Sequence, residues 1–91
     1  MTLKIESISS RGRTRIRLSG DFRVEHLDQV KAEIERAGPR VALDLEEVHL
    51  VDIEGVRFLN GCLAKGILVL HCSPYIKEWM LRERGPKRTH P

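Results

Sequence analysis

Leu3, Ile5 and Ser7 alternate with Lys4 and Glu6, and beyond the turn signal Ser9-Ser10-Arg11-Gly12 the run Arg13-Thr14-Arg15-Ile16-Arg17-Leu18 alternates strictly. A period of two is the mark of half-buried strands, so the two runs predict a hairpin. Ile16 and Leu18 then point to the core, and Arg13, Arg15 and Arg17 line the other face of the sheet. From Val24 to Ala37 the step lengthens: Leu27, Val30, Ile34 and Ala37 recur at three and four residues, leaving His26, Gln29 and Glu33 outside. That spacing predicts an amphipathic helix. Glu25 and Asp28 in its early turns and Arg36 in its last agree with the helix dipole, and Gly38-Pro39 ends it.

Val41-Ala42-Leu43-Asp44-Leu45 reads as a short buried strand and Ile67-Leu68-Val69-Leu70 as another. Between them Val56, Leu59 and Leu63 have helical spacing, which predicts a helix from about Ile53 to Ala64, closed by Lys65-Gly66. A last helix opens on Ser73 as N-cap and Pro74 as first residue, carries Ile76, Trp79 and Met80 as its inner stripe, and stops at Gly85-Pro86. The order is strand, strand, helix, strand, helix, strand, helix. Connection rules then favour an α/β domain: a mixed sheet of about four strands, a hairpin followed by parallel crossovers, with about three helices mostly on one face.

Ninety-one residues suffice for one core, so residues 1–85 are read as a single domain and 86–91 as a flexible basic tail. With 41% apolar and 32% charged residues the chain is too apolar for wholesale disorder. No apolar run approaches the roughly 20 residues that span a bilayer, and the start lacks a signal peptide's apolar segment, so no membrane insertion and a cytoplasmic location are expected. The net charge of +3 hides a separation: residues 1–20 sum to +4, residues 21–55 to −6 and residues 56–91 to +5.

Little in the chain suits catalysis. Asp44, Asp52, Glu54 and four scattered histidines form no nucleophile–base–acid set, and no glycine loop for phosphate is present, so neither an enzyme nor a cofactor is expected. Cys62 and Cys72 are read as small buried hydrophobes. A zinc site would have to recruit His71 and His49 without any C-x-x-C or H-x-x-x-H spacing, so no metal is expected. The Arg13, Arg15 and Arg17 stripe would suit a nucleic-acid backbone, but no aromatic platform accompanies it, and a solvated face paired with Glu6 is the preferred reading.

The stretch Leu50-Val51-Asp52-Ile53-Glu54-Gly55-Val56-Arg57-Phe58-Leu59 interrupts an apolar run with two acids and a glycine. Asp52 is placed to cap the helix that follows; Glu54 adds charge at the positive end of the dipole and can pair with Arg57. Gly55 removes a side chain where helix and sheet come close. Ile53 falls off the Val56, Leu59 and Leu63 stripe, so it is expected to face outward and to offer a contact surface.

The segment VALDLEEVHLVDIEGVRFL resembles the signature of the STAS family, the bacterial anti-sigma-factor antagonist fold: an apolar pair and Leu-Asp-Leu, then two apolar residues, Asp, two small residues, Gly and Leu-x-x-Leu. Leu18-Ser19-Gly20-Asp21-Phe22 is similar to the family's Leu-x-Gly-x-Leu/Phe, and His71-Cys72-Ser73-Pro74 to its Asn-x-Ser-Pro turn. Asp52 and Gly55 match the motif, while Ile53 occupies the place of the phosphorylated serine or threonine, so no phosphorylation is expected there. The resemblance implies a non-enzymatic module of transcriptional signalling that binds a kinase-like anti-sigma factor of the GHKL type. The surface it would use comprises Asp21, Phe22, Arg23, Asp52, Ile53, Glu54 and Arg57. The alternative it implies is a structural subunit of a lipid-transport ABC system or a stress-signalling assembly.

Overall fold

A computed structural model describes residues 3–84. The predicted tail 86–91 and the Gly85-Pro86 stop lie outside these residues. Along the chain run β1 (Leu3–Ser10), β2 (Arg13–Phe22), a 3₁₀ turn (Val24–His26), α1 (Leu27–Ala37), β3 (Val41–Val51), α2 (Ile53–Ala64), β4 (Leu68–Leu70) and α3 (Pro74–Arg84).

Arg11 and Gly12, the two residues between β1 and β2, both have positive φ, 54° and 77°. Such turns match the right-handed twist of paired strands. The sheet order is β1-β2-β3-β4, with β1 antiparallel to β2 and the other pairs parallel. Both crossovers step in the same direction, so right-handed connections put α1 and α2 on one face. This is the expected mixed four-stranded α/β sheet.

The core forms where that face meets the helices. Ile16, Leu18 and Phe22 of β2, Leu43, Leu45 and Val51 of β3, Val30 of α1, Val56 and Leu59 of α2, and Ile76 and Met80 of α3 are all buried. Each fully buried side chain of this size stabilises the fold by about 1.5–3 kcal/mol relative to exposure. On α3, Ser73 Oγ accepts the N–H of Ile76 at 3.3 Å, which caps the helix as expected.

Three expectations are corrected. The strand at Val41 does not stop at Leu45 but runs 11 residues to Val51. The acids Glu46 and Glu47 hide this because the β2–β3 register slips there, Arg17 facing Asp44 but Ser19 facing Glu47, and slips again between Gly20 and Asp21. Each slip adds a residue to β3, so the burial step lengthens from two to three and Val48 and Val51 still reach the core. Second, β4 is a short edge strand, not a buried one, and Leu68 is exposed. Third, Leu63 is exposed at the margin of α2, and Cys62 takes the inward place beside Gly55, Val56 and Leu59.

Candidate functional site

At the C-terminal ends of β2 and β3 the chain makes the turn that the two acids and glycine foretold. Asp52 has extended backbone (φ −96°, ψ 178°), the conformation of an N-cap. Its Oδ1 accepts the N–H of Gly55 at 2.9 Å, and its Oδ2 accepts the N–H of Val24 at 2.8 Å. The Asp52 N–H in turn donates to the carbonyl of Phe22 at 3.3 Å. One residue thus ties the exit of β2 to the entry of α2. Gly55 is required by the same closeness: a Cβ there would lie 2.6 Å from Val51 Cγ2 and 3.2 Å from the Phe22 carbonyl oxygen.

Around this clamp, Val24 is exposed and Ile53 is half-buried, outside the core cluster. Charged groups form the rim. Arg23 lies 3.7 Å from Asp21, and Arg57 lies 3.5 Å from Glu54 and 3.4 Å from Glu83 of α3. His26 Nδ1 accepts the Arg23 N–H at 3.1 Å, fixing the 3₁₀ turn that carries Val24. Asp21, Arg23, Asp52, Ile53, Glu54 and Arg57 are therefore brought to one end of the sheet. Phe22 is a correction: expected on the contact surface, it is fully buried and meets Phe58 edge to face with ring centroids 5.9 Å apart, so it supports the turn from beneath.

A second cluster was not foreseen. Asp44 is fully buried in mid-strand on the sheet face away from the helices. Its Oδ1 accepts the Glu46 N–H and the His71 Nδ1–H, each at 3.0 Å. Its Oδ2 has no hydrogen bond but faces Arg17 at 3.7 Å and Arg15 at 3.9 Å. Burial alone would raise its pKa; the Glu46 amide, the His71 ring and the Arg17 charge together outweigh burial and hold it below the ordinary 3.8. Arg15 and Arg17 are thus turned toward Asp44, and Glu6 pairs with Lys4 at 3.6 Å in place of the expected arginines. The signal available in the sequence was an aspartate inside an apolar strand, but its side-chain partners Arg15, Arg17 and His71 lie 27 to 29 residues away.

Asp44, Glu46 and His71 also form the one convergent group of potential metal ligands among the described residues. Arg17 already stands 3.7 Å from Asp44 and 3.9 Å from Glu46, so a guanidinium fills the place of a cation. His71 adopts a positive φ of 56° after β4. Both thiols are shifted upward: burial pushes Cys62 to about 11 and raises Cys72 as well. Among the described residues no helix is long and apolar enough to cross a membrane.

No protein-family model and no curated protein sequence matches the chain. Fourteen solved chains match it in structure. One is the anti-sigma-factor antagonist SpoIIAA in its unphosphorylated form, with a TM-score of 0.65 at 19% identity over 86% of this chain and 80% of that one. Likeness at this identity concerns the fold, and the fold is the STAS-type one that the sequence motifs implied.

Proposed function

From the SpoIIAA-like fold as premise, we propose that this chain is a non-enzymatic interaction module of the anti-sigma-factor antagonist type. It docks a kinase-like anti-sigma factor, or a related switch protein, on the end of the sheet built around Asp52. The observation that carries the reading is the Asp52 clamp itself: it holds Ile53 and Val24 at a fixed turn, ringed by Arg23, Glu54 and Arg57. A preorganised apolar spot inside a charged rim is the usual anatomy of a protein contact.

Ile53 has no hydroxyl, so phosphate cannot be added at the turn's first helical position. Phosphorylation there would bring nearly two negative charges to the contact; in this chain the contact is constitutive or is governed on the partner's side. Glu54 is one residue away and carries one charge, which the Arg57 guanidinium faces.

The test is affinity capture from the native cell with the wild-type chain and Ile53→Asp in parallel. Recovery of a GHKL-type kinase domain with the wild type alone is the expected result. For the purified pair, Ile53→Asp is expected to weaken binding about tenfold or more, while its melting temperature stays near that of the wild type. Recovery of a transporter ATPase in its place would assign the chain to a structural role in a transport assembly, and a large drop in melting temperature would make Ile53 a core residue.

A further inference from the structure

At the opposite end of the sheet, near the first β2–β3 pair Thr14–Val41, the helix-free face sinks into a trough of about 1080 Å³. The strand register aligns Ile8, Arg15, Ala42 and Leu68 in one cross-strand row. Ile8, Ala42, Leu68 and Leu70 supply an apolar floor, with Ile8 42% and Leu68 57% exposed. Arg11, Arg13, Arg15 and Arg40 line the same depression, and no carboxylate does. Among the described residues Arg11, Arg13 and Arg40 have no acidic partner within 4.0 Å, and Arg15 has only the distant Asp44 at 3.9 Å. This surface lies apart from the Asp52 turn, and its argument does not depend on the function proposed for that turn.

We infer that this trough is a docking site for an acidic amphipathic helix of a partner protein. A sheet whose second face carries apolar side chains completes its layer by covering them. The cover has to be apolar toward Leu68 and Ile8 and negatively charged toward the arginines. A helix of roughly 10–12 Å diameter, with an apolar stripe flanked by Asp and Glu, meets both demands. A second copy docked symmetrically would set guanidiniums against guanidiniums. The chain's own residues 85–91 contain Lys87 and Arg88 and no acid, so they lack the complementary charge. A bilayer is the poorer match, because the apolar groups line a depression instead of projecting from the surface.

The test uses the full chain, isotope-labelled for amide NMR, titrated with a designed helical peptide of about 18 residues bearing a leucine stripe flanked by glutamates. A second peptide has every glutamate replaced by lysine. Expected are shifts confined to residues around Ile8, Arg13, Ala42 and Leu68, and binding at least about tenfold tighter for the glutamate peptide. Leu68→Glu and the double variant Arg13→Glu/Arg40→Glu should each lose about tenfold or more with unchanged melting temperature, and Ile53→Asp should bind like the wild type. Shifts centred on Asp52–Arg57, or equal binding of the two peptides, overturn the proposal. So does sedimentation with phosphatidylglycerol vesicles without peptide binding, which would assign the face to a membrane, or a Leu68-dependent dimer, which would assign it to a second copy.

Discussion

Asp52 Oδ2 accepts the backbone N–H of Val24 at 2.8 Å across 28 residues of sequence, while the other oxygen of the same carboxylate caps α2 through Gly55. Asp52→Ala removes both bonds and leaves two amides unpartnered. The expected loss is about 1–2 kcal/mol, a fall in melting temperature of roughly 5–15 °C for a domain of this size. Asp52→Asn keeps one accepting oxygen and should lose less. Calorimetry of the two variants checks the order.

Two glycines of α2 should respond with opposite sign to the same substitution. Gly55→Ala places a methyl 2.6 Å from Val51 Cγ2 and 3.2 Å from the Phe22 carbonyl, an overpacking expected to cost about 1–3 kcal/mol. At Gly61 the added methyl meets nothing within 4 Å, so Gly61→Ala should stabilise by about 0.5–1 kcal/mol through helix propensity. Urea midpoints at equal slope read both changes.

Acid should weaken the native state in part through Asp44. Its folded pKa lies below the ordinary 3.8, so the native state binds its proton later than the unfolded chain does as pH falls. The stabilisation is present above the unfolded value and is lost as pH drops through the folded one. Asp44→Asn is expected to flatten the acid limb of a stability–pH curve below about pH 4 and to lower stability at neutral pH, where the Arg15 and Arg17 charges lose their buried counter-charge.

The two thiols should be slow nucleophiles. Cys62 is buried with its pKa pushed to about 11, and Cys72 is shifted in the same direction but is only half-buried. An aromatic disulfide reagent at neutral pH is expected to label Cys72 first and Cys62 only on unfolding. Because the folded Cys62 keeps its proton above the ordinary 9.0, its contribution to stability is full below that value and disappears as pH rises toward 11. Cys62→Ala should remove that part of the alkaline decline.

Local chemistry settled a good deal in advance. The span of α2, Ile53–Ala64, its Asp52 cap and the Glu54–Arg57 pair were all legible, because a cap, a dipole charge and an i,i+3 pair involve neighbours in the chain. The same holds for the Arg11-Gly12 turn and the Ser73 cap. The alternation of Arg13–Leu18 likewise set which side of β2 would be wet, and the order of strands and helices limited the topology.

What stayed hidden depended on strand pairing. The length of β3 required knowing that β2 lies beside it with two register slips, and the exchange of Leu63 for Cys62 required the angle at which α2 meets the sheet. Phe22 looked like part of a surface motif until Phe58, 36 residues later, closed over it. Asp44 found Arg15 and Arg17 on β2 and His71 just after β4, and the trough joined arginines and aliphatics from all four strands. The amino-acid order by itself determined the elements and their caps, since those interactions span a few residues. Only the tertiary structure decided which side chains share a surface, since the sheet brings together groups whose separation in sequence carries no periodic trace.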